Sequence, residues 1–223
     1  MLNNPTPHPF IIFLIRKHHF IELSILIRDL VTILWTVHEQ WYFYCRSLFC
    51  SPSQLKHNPG EVCFPGGKAD PHDRDEIDTA LREALEEISL PPDGVEVVCR
   101  FCPLFNKSGL LVTPVVAFIS DSFQASSNPD EVSDVFSVPL DFFLKETDHS
   151  GYLLPSTKSY VHSFIYTDPI TGKIHQIWGL TAFLLILLAV LTFEKKPAFE
   201  MGFDLENPVA SFREHLQHRL SKL

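Results

Sequence analysis

Residues 66–90 read GGKADPHDRDEIDTALREALEEISL. Pro65, Gly66 and Gly67 form a tight turn that draws on the backbone freedom of glycine. Beyond it Ile77, Ala80, Leu81, Ala84, Leu85 and Ile88 recur at helical spacing, which predicts a helix from Asp75 to Ile88. Asp73 and Asp75 stand where an N-cap helps and where negative charge complements the helix dipole. Ser89 followed by Pro91 and Pro92 ends the helix. On this geometry Glu83, Glu86 and Glu87 place their carboxylates on one face, a single turn apart. Like charges at that spacing repel, so the three need a cation between them or free water around them. Hard oxygen ligands at this density suit Mg²⁺ or Mn²⁺. Taken alone, REALEE more often marks the solvated acidic face of a surface helix.

Upstream, VTILWTV and WYFYCRS flank a polar HEQ, which predicts a hairpin over Val31 to Ser47. Leu48 to Gly60 reads as loop, and EVCF (61–64) as a strand end entering the glycine turn. Residues 1–28 carry no usable pattern. Downstream, VEVVCRFC (95–102), LVTPVVAFIS (111–120) and VFSVPL (135–140) read as strands, with Pro114 suggesting an edge or a bulge. SYVHSFIYT (159–167) and KIHQIW (173–178) flank DPITG as a second hairpin. An apolar helix is expected from Thr181 to Glu194, and a short one over Phe212 to Leu220. Strands and helices mix without βαβ regularity, so the fold class is α+β. The division follows as residues 1–28 unassigned, 29–196 the domain, and 197–223 a tail.

With 45% apolar and 20% charged residues over 223 positions, the chain can bury a core and is not of disordered composition. A net charge of −9 argues against a nucleic-acid binder with a basic surface. It leaves an anionic substrate open, since bound cations invert the local field. Five cysteines, an odd number, do not make a disulfide framework and point to a reducing compartment. Cys99 and Cys102 form a lone C-x-x-C without the second pair that a zinc site wants. The histidines, His149 and His175 among them, are scattered and receive no role. Phe10 to Trp35 is cut by charges and leaves no uninterrupted span. Ile177 to Phe193 is uncharged, near the lower limit for crossing a bilayer, and reads as a buried core helix in preference to a membrane span.

The 66–90 stretch resembles the Nudix box, G-x5-E-x7-R-E-U-x-E-E-x-G-U with U aliphatic. Gly67 supplies its glycine, Asp73 stands at the first acid, and Arg82, Glu83, Glu86, Glu87 and Leu90 fill the later places. Asp73 for Glu, one extra residue between Asp73 and Arg82, and Ser89 for the second glycine are departures. The first two also resemble the coenzyme A diphosphatase branch of the family. Serine at a helix-ending position that favours φ > 0 costs about 1 kcal/mol. NPGEVCFPGG (58–67) looks like the G-x3-F-P-G-G signature of that branch. Arg46-Ser47 with Leu55-Lys56 resembles its R-S…L-R/K element, with extra residues between. NPDEVSDVFSVPL (128–140) and HQIWGLTA (175–182) look like later blocks of the family.

The resemblance implies an α/β/α sandwich around a mixed sheet. It also implies metal-dependent hydrolysis of coenzyme A or acyl-coenzyme A to 3′,5′-ADP and (acyl-)phosphopantetheine. Glu83, Glu86 and Glu87 would hold Mg²⁺ or Mn²⁺, and Gly66 and Gly67 would let backbone approach the metal–phosphate site. Arg82 would orient the glutamates. Glu131 is a candidate general base, and Arg46 and Lys56 are candidates for the nucleotide phosphates. Two alternatives stand beside this: a Nudix hydrolase of another nucleoside diphosphate derivative, and an inactive or membrane-associated protein with an incomplete domain. The final Ser221-Lys222-Leu223 matches a peroxisomal address, which makes an import receptor an expected partner and the peroxisome the expected location.

Overall fold

The structure, a computed structural model, describes residues 10–16, 44–50, 61–106, 109–120, 122–154, 159–206 and 211. It has two compact units, Met1–Arg16 with Cys45–Ser137 and Lys17–Tyr44 with Val138–Leu223. The class is α+β, as the mixed patterns indicate.

In the first unit the elements are β1 (Phe10–Arg16), β2 (Tyr44–Cys50), β3 (Val62–Cys63), α1 (Glu76–Ile88), β4 (Val95–Arg100), β5 (Leu104–Phe105), β6 (Leu111–Ile119) and β7 (Asp134–Pro139). The sheet runs β3-β2-β1-β6-β4, with β5 also on β6 and β7 on β2. It is mixed, because β1 and β6 are parallel while β1–β2, β2–β3 and β4–β6 are antiparallel. Strand β6 is central and buried at every position after Leu111, which suits its near-continuous apolar run.

Helix α1 lays its apolar stripe on this sheet. Ala80, Ala84, Ile88 and Leu90 share one buried cluster with Val115, Ala117, Ile119 and Val132. Alanines at 80 and 84 allow close approach, and the larger Ile88 and Leu90 fill the far end. The start of α1 is fixed by Asp75, whose Oδ1 accepts from the N–H of Ile77 and of Asp78, each at 3.0 Å. Asp75 is therefore the cap and Asp73 is not. The helix ends at Ser89, which takes left-handed φ 59°.

Three expectations are corrected here. Residues 10–16 form β1, a strand inserted between β2 and β6, where the sequence offered no pattern. Residues 48–50, expected as loop, complete β2. Pro114 is neither at an edge nor at a bulge: it lies in central β6, and the irregularity falls at Val97/Cys99. Antiparallel pairing of β4 with β6 stops at Val115, and that of β5 begins at Val112. Pro114 thus sits between the two, where its missing N–H leaves that ladder intact and its carbonyl accepts from Phe101 N–H at 2.8 Å. Cys99 lies in β4, and burial pushes its thiol up to about 11. Most of the first expected hairpin (31–43) and the whole 212–220 helix lie outside the described residues.

The second unit holds β8 (His149–Leu154), β9 (Ser159–Thr167), β10 (Ile174–Trp178) and α2 (Gly179–Phe193). The strands form an antiparallel sheet in the order β10-β9-β8. The β9–β10 hairpin closes through DPITG as read from sequence, whereas β8 was not foreseen. Gly179 takes φ 64° at the turn from β10 into α2. Helix α2 packs on β9 and β10, with Leu184, Leu185 and Ile186 at 0% exposure. Each such side chain contributes about 1.5–3 kcal/mol of burial. Among the described residues no helix is long and apolar enough to cross a membrane.

Two histidines of this unit, His149 and His162, form a structural network. His162 Nε2 meets the Met201 carbonyl at 3.0 Å and its Nδ1 meets His149 Nε2 at 3.0 Å. His149 in turn stacks on Phe199 with 3.7 Å between ring centroids. Burial, with His162 adding to it, lowers the pKa of His149 to about 4, so both rings serve as neutral packing and hydrogen-bonding groups.

Candidate active site

The glycine turn and α1 meet in the first unit. Gly66 donates its N–H to Glu87 Oε2 at 3.1 Å. Gly67 lies directly against the Glu83 carboxylate: a Cβ at Gly67 would overlap all three terminal atoms of that side chain. Glycine at 67 is therefore a matter of close approach, since its φ is not positive.

Glu87 is only 9% exposed, an unusual position for a carboxylate on a helix face. Burial pushes its pKa up to about 9, and the charges of Glu83, Glu131 and Glu86 push the same way against the Gly66 N–H. Glu83 is also raised, first by burial and opposed by Arg82, with Glu86 and Glu131 adding repulsion. Glu87 is thus buried and Glu83 partly so, while Glu86 and Glu131 are exposed beside them. The burial of Glu87 is what departs from a fully solvated helix face.

Arg82 supplies the positive charge beside this set. Its Nε and Nη2 each lie 3.1 Å from an oxygen of Asp73. Its Nη2 also donates to the Lys68 carbonyl at 3.0 Å, and its Nη1 lies 3.0 Å from both Glu83 Oε1 and Glu86 Oε2. The guanidinium holds Asp73 down to about 2 and is itself held above its ordinary range. With all its nitrogens engaged by the protein, Arg82 orients carboxylates. Asp73 anchors it, a role the sequence did not disclose, because the ion pair spans nine residues and a turn.

The loop 122–133 closes the site from the far end of α1. Ser126 N–H donates to Ile88 O at 3.1 Å, and Asn128 N–H to Glu87 O at 2.9 Å. Glu131 then follows in a turn whose N–H bonds Asn128 O at 3.1 Å, with Val132 buried beneath it.

Gly66, Gly67, Glu83, Glu86, Glu87 and Glu131 are thus brought together. Arg46 takes a place in β2 opposite Leu14 of β1. Lys56 lies outside the described residues. Among the described residues no three of His, Cys, Asp or Glu converge as a ready-made metal cage. The donor set nonetheless fits a hard divalent cation: mutually repelling carboxylates, two of them raised in pKa, beside the Gly66–Gly67 backbone. Mg²⁺-type ions bind through one or two carboxylates plus substrate phosphate, without a dedicated cage.

A glycine turn laid on a carboxylate-bearing helix, with an acidic loop at its end, supplies the kind of donors that a divalent-metal hydrolase of phosphoanhydrides uses. The NUDIX domain model matches residues 43–156, and the chain belongs to the Nudix family. A mouse protein described as peroxisomal coenzyme A diphosphatase NUDT7 is 45% identical over 174 residues, covering 76% of this chain and 74% of the relative. Nudix hydrolase 15, mitochondrial, of Arabidopsis thaliana is 43% identical over 152 residues, covering 66% of this chain and 52% of its own length. An uncharacterized Nudix hydrolase NudL of Photorhabdus laumondii is 40% identical over 135 residues, covering 60% and 70%.

Proposed function

We propose that this chain hydrolyses the diphosphate bond of coenzyme A and acyl-coenzyme A, giving 3′,5′-ADP and (acyl-)phosphopantetheine, with Mg²⁺ or Mn²⁺ as the cation. The observation that carries the chemistry is the buried Glu87 carboxylate, bonded by Gly66 N–H amid Glu83, Glu86 and Glu131. The choice of substrate is supported by the NPGEVCFPGG stretch and by the name of the mouse relative.

Glu83, Glu86 and Glu87 would hold the cation, which would supply charge neutralisation at the diphosphate and a lowered pKa for a bound water. Gly66 presents its N–H to Glu87, and Gly67 leaves room for the Glu83 carboxylate, so that backbone lies beside the site the phosphates enter. Arg82 holds Glu83 and Glu86 in position from Asp73. Glu131 takes a proton from the water as it attacks phosphorus, and the bond to the bridging oxygen breaks. Arg46 and Lys56 are assigned to the nucleotide phosphates.

Incubation with coenzyme A and Mg²⁺, followed by product separation, tests the reading. 3′,5′-ADP and phosphopantetheine should appear in equal amounts and vanish with chelator. Turnover of other nucleoside diphosphate derivatives with none of coenzyme A would replace the substrate and leave the chemistry. We also infer peroxisomal import through Ser221-Lys222-Leu223, which lies outside the described residues. A tagged chain should be punctate with peroxisomal markers and diffuse without Leu223; targeting that survives the deletion overturns this.

A further inference from the structure

Ser89 stands where the Nudix box carries glycine, and the structure shows it in the left-handed conformation that favours glycine, φ 59°. A serine held there needs a compensating contact. Its Oγ donates to the Ser126 carbonyl at 3.1 Å. Ser126 N–H returns a bond to Ile88 O, and Asn128 N–H bonds Glu87 O. Three hydrogen bonds therefore sew residues 126–128 to the last turn of α1, the turn that carries Glu87. The Asn128 side chain continues the seam, its Oδ1 accepting from Asp130 N–H at 3.2 Å. Glu131 is the next residue along, and its charge already reaches both Glu83 and Glu87.

We propose that Ser89 is a positioning residue for the reaction: its hydroxyl fixes the 126–131 loop on α1 and so sets Glu131 against the metal-binding carboxylates. The proposal rests on the reading of Glu131 as general base. A glycine at 89 makes the helix ending easier but leaves the loop held by backbone bonds alone. The serine gives up conformational ease and gains a third, side-chain tie. Catalysis is sensitive to such placement, since errors near 1 Å cost up to about a hundredfold.

The test is steady-state hydrolysis of coenzyme A with Mg²⁺ by the full chain carrying Ser89→Gly, Ser89→Asn, Glu131→Gln, or Ser89→Gly with Glu131→Gln. Ser89→Gly should lower kcat about tenfold with KM little changed and should not lower the melting temperature. Ser89→Asn should recover most of the rate, because asparagine tolerates the left-handed region and its amide can donate to Ser126 O. Once Glu131 is Gln, Ser89→Gly should cause no further fall. Wild-type kcat in Ser89→Gly, beside a strong loss in Glu131→Gln, overturns the positioning role and leaves the base assignment. An equal fall in both backgrounds also overturns it, by showing that Ser89 acts on α1 alone. A harmless Glu131→Gln removes the base assignment, and the positioning role with it.

Discussion

Glu87→Gln should lower turnover by on the order of a thousandfold, because cation binding and transition-state charge stabilisation are lost together. The fold should survive, for a reason specific to this carboxylate. Its folded pKa, about 9, lies above the ordinary glutamate value. A raised pKa means the folded chain binds a proton that the unfolded chain has released. The associated stability is complete below about pH 4.5 and is lost as the pH rises toward about 9. At neutral pH without cation, Glu87 therefore weighs against folding, and the neutral amide removes that penalty while keeping the shape. Glu87→Gln should melt higher than wild type in chelator. Wild type should gain stability on adding Mg²⁺ or Mn²⁺, and the variant should gain much less. Glu76→Gln is the control on the same helix. Glu76 is partly exposed and pairs with Arg100 at 2.7 Å, an ion pair worth about 0–1 kcal/mol. Its loss should leave the rate unchanged. Near-wild-type turnover in Glu87→Gln would leave Glu87 a buried structural carboxylate with no part in catalysis.

The parts of the molecule legible in the sequence are those whose physics is local. Helix α1 announced itself because a 3.6-residue period, an aspartate cap and a proline stop all fall within twenty-odd residues. The β9–β10 hairpin was legible for the same reason, DPITG being a turn between two β-rich runs. Strand β1 was not, because FIIFLIR alone suits a strand, a buried helix or part of a span. What makes it a strand is parallel pairing with β6, about a hundred residues away. Strand β8 was missed because HSGYLL carries a glycine and little burial; its pairing with β9 holds it. At the site the spacing of Glu83, Glu86 and Glu87 gave a shared face but not a dry one. Only the sheet beneath and the glycine turn above convert a surface-like REALEE into a half-buried cluster. The partners of Arg82 and Ser89 depend on where turns deliver Asp73 and Ser126, which spacing does not encode.

Gly67→Ala is expected to produce the second large loss, and through one methyl group. The new Cβ would occupy the place of the Glu83 carboxylate, overlapping Oε1, Oε2 and Cδ. No backbone is among its three nearest neighbours, so the cheapest relief is a change of Glu83 side-chain torsion, costing about 1 kcal/mol. That motion breaks the Glu83–Arg82 contact and moves the Glu83 carboxylate from its place beside Gly67. On the proposed reading the cation then loses one of its carboxylates. Turnover should fall about a hundredfold or more, while the melting temperature moves by only a few degrees. Raising Mg²⁺ or Mn²⁺ should recover part of the rate, because a weakened site fills at higher concentration. Gly109→Ala is the comparison. Gly109 has φ 76° but nothing within 4 Å of an added Cβ, so it tests backbone strain without crowding. It should cost stability and spare the rate. A Gly67→Ala enzyme that is unstable yet fully active when folded would show that the glycine serves only the turn, and that Glu83 has room to spare.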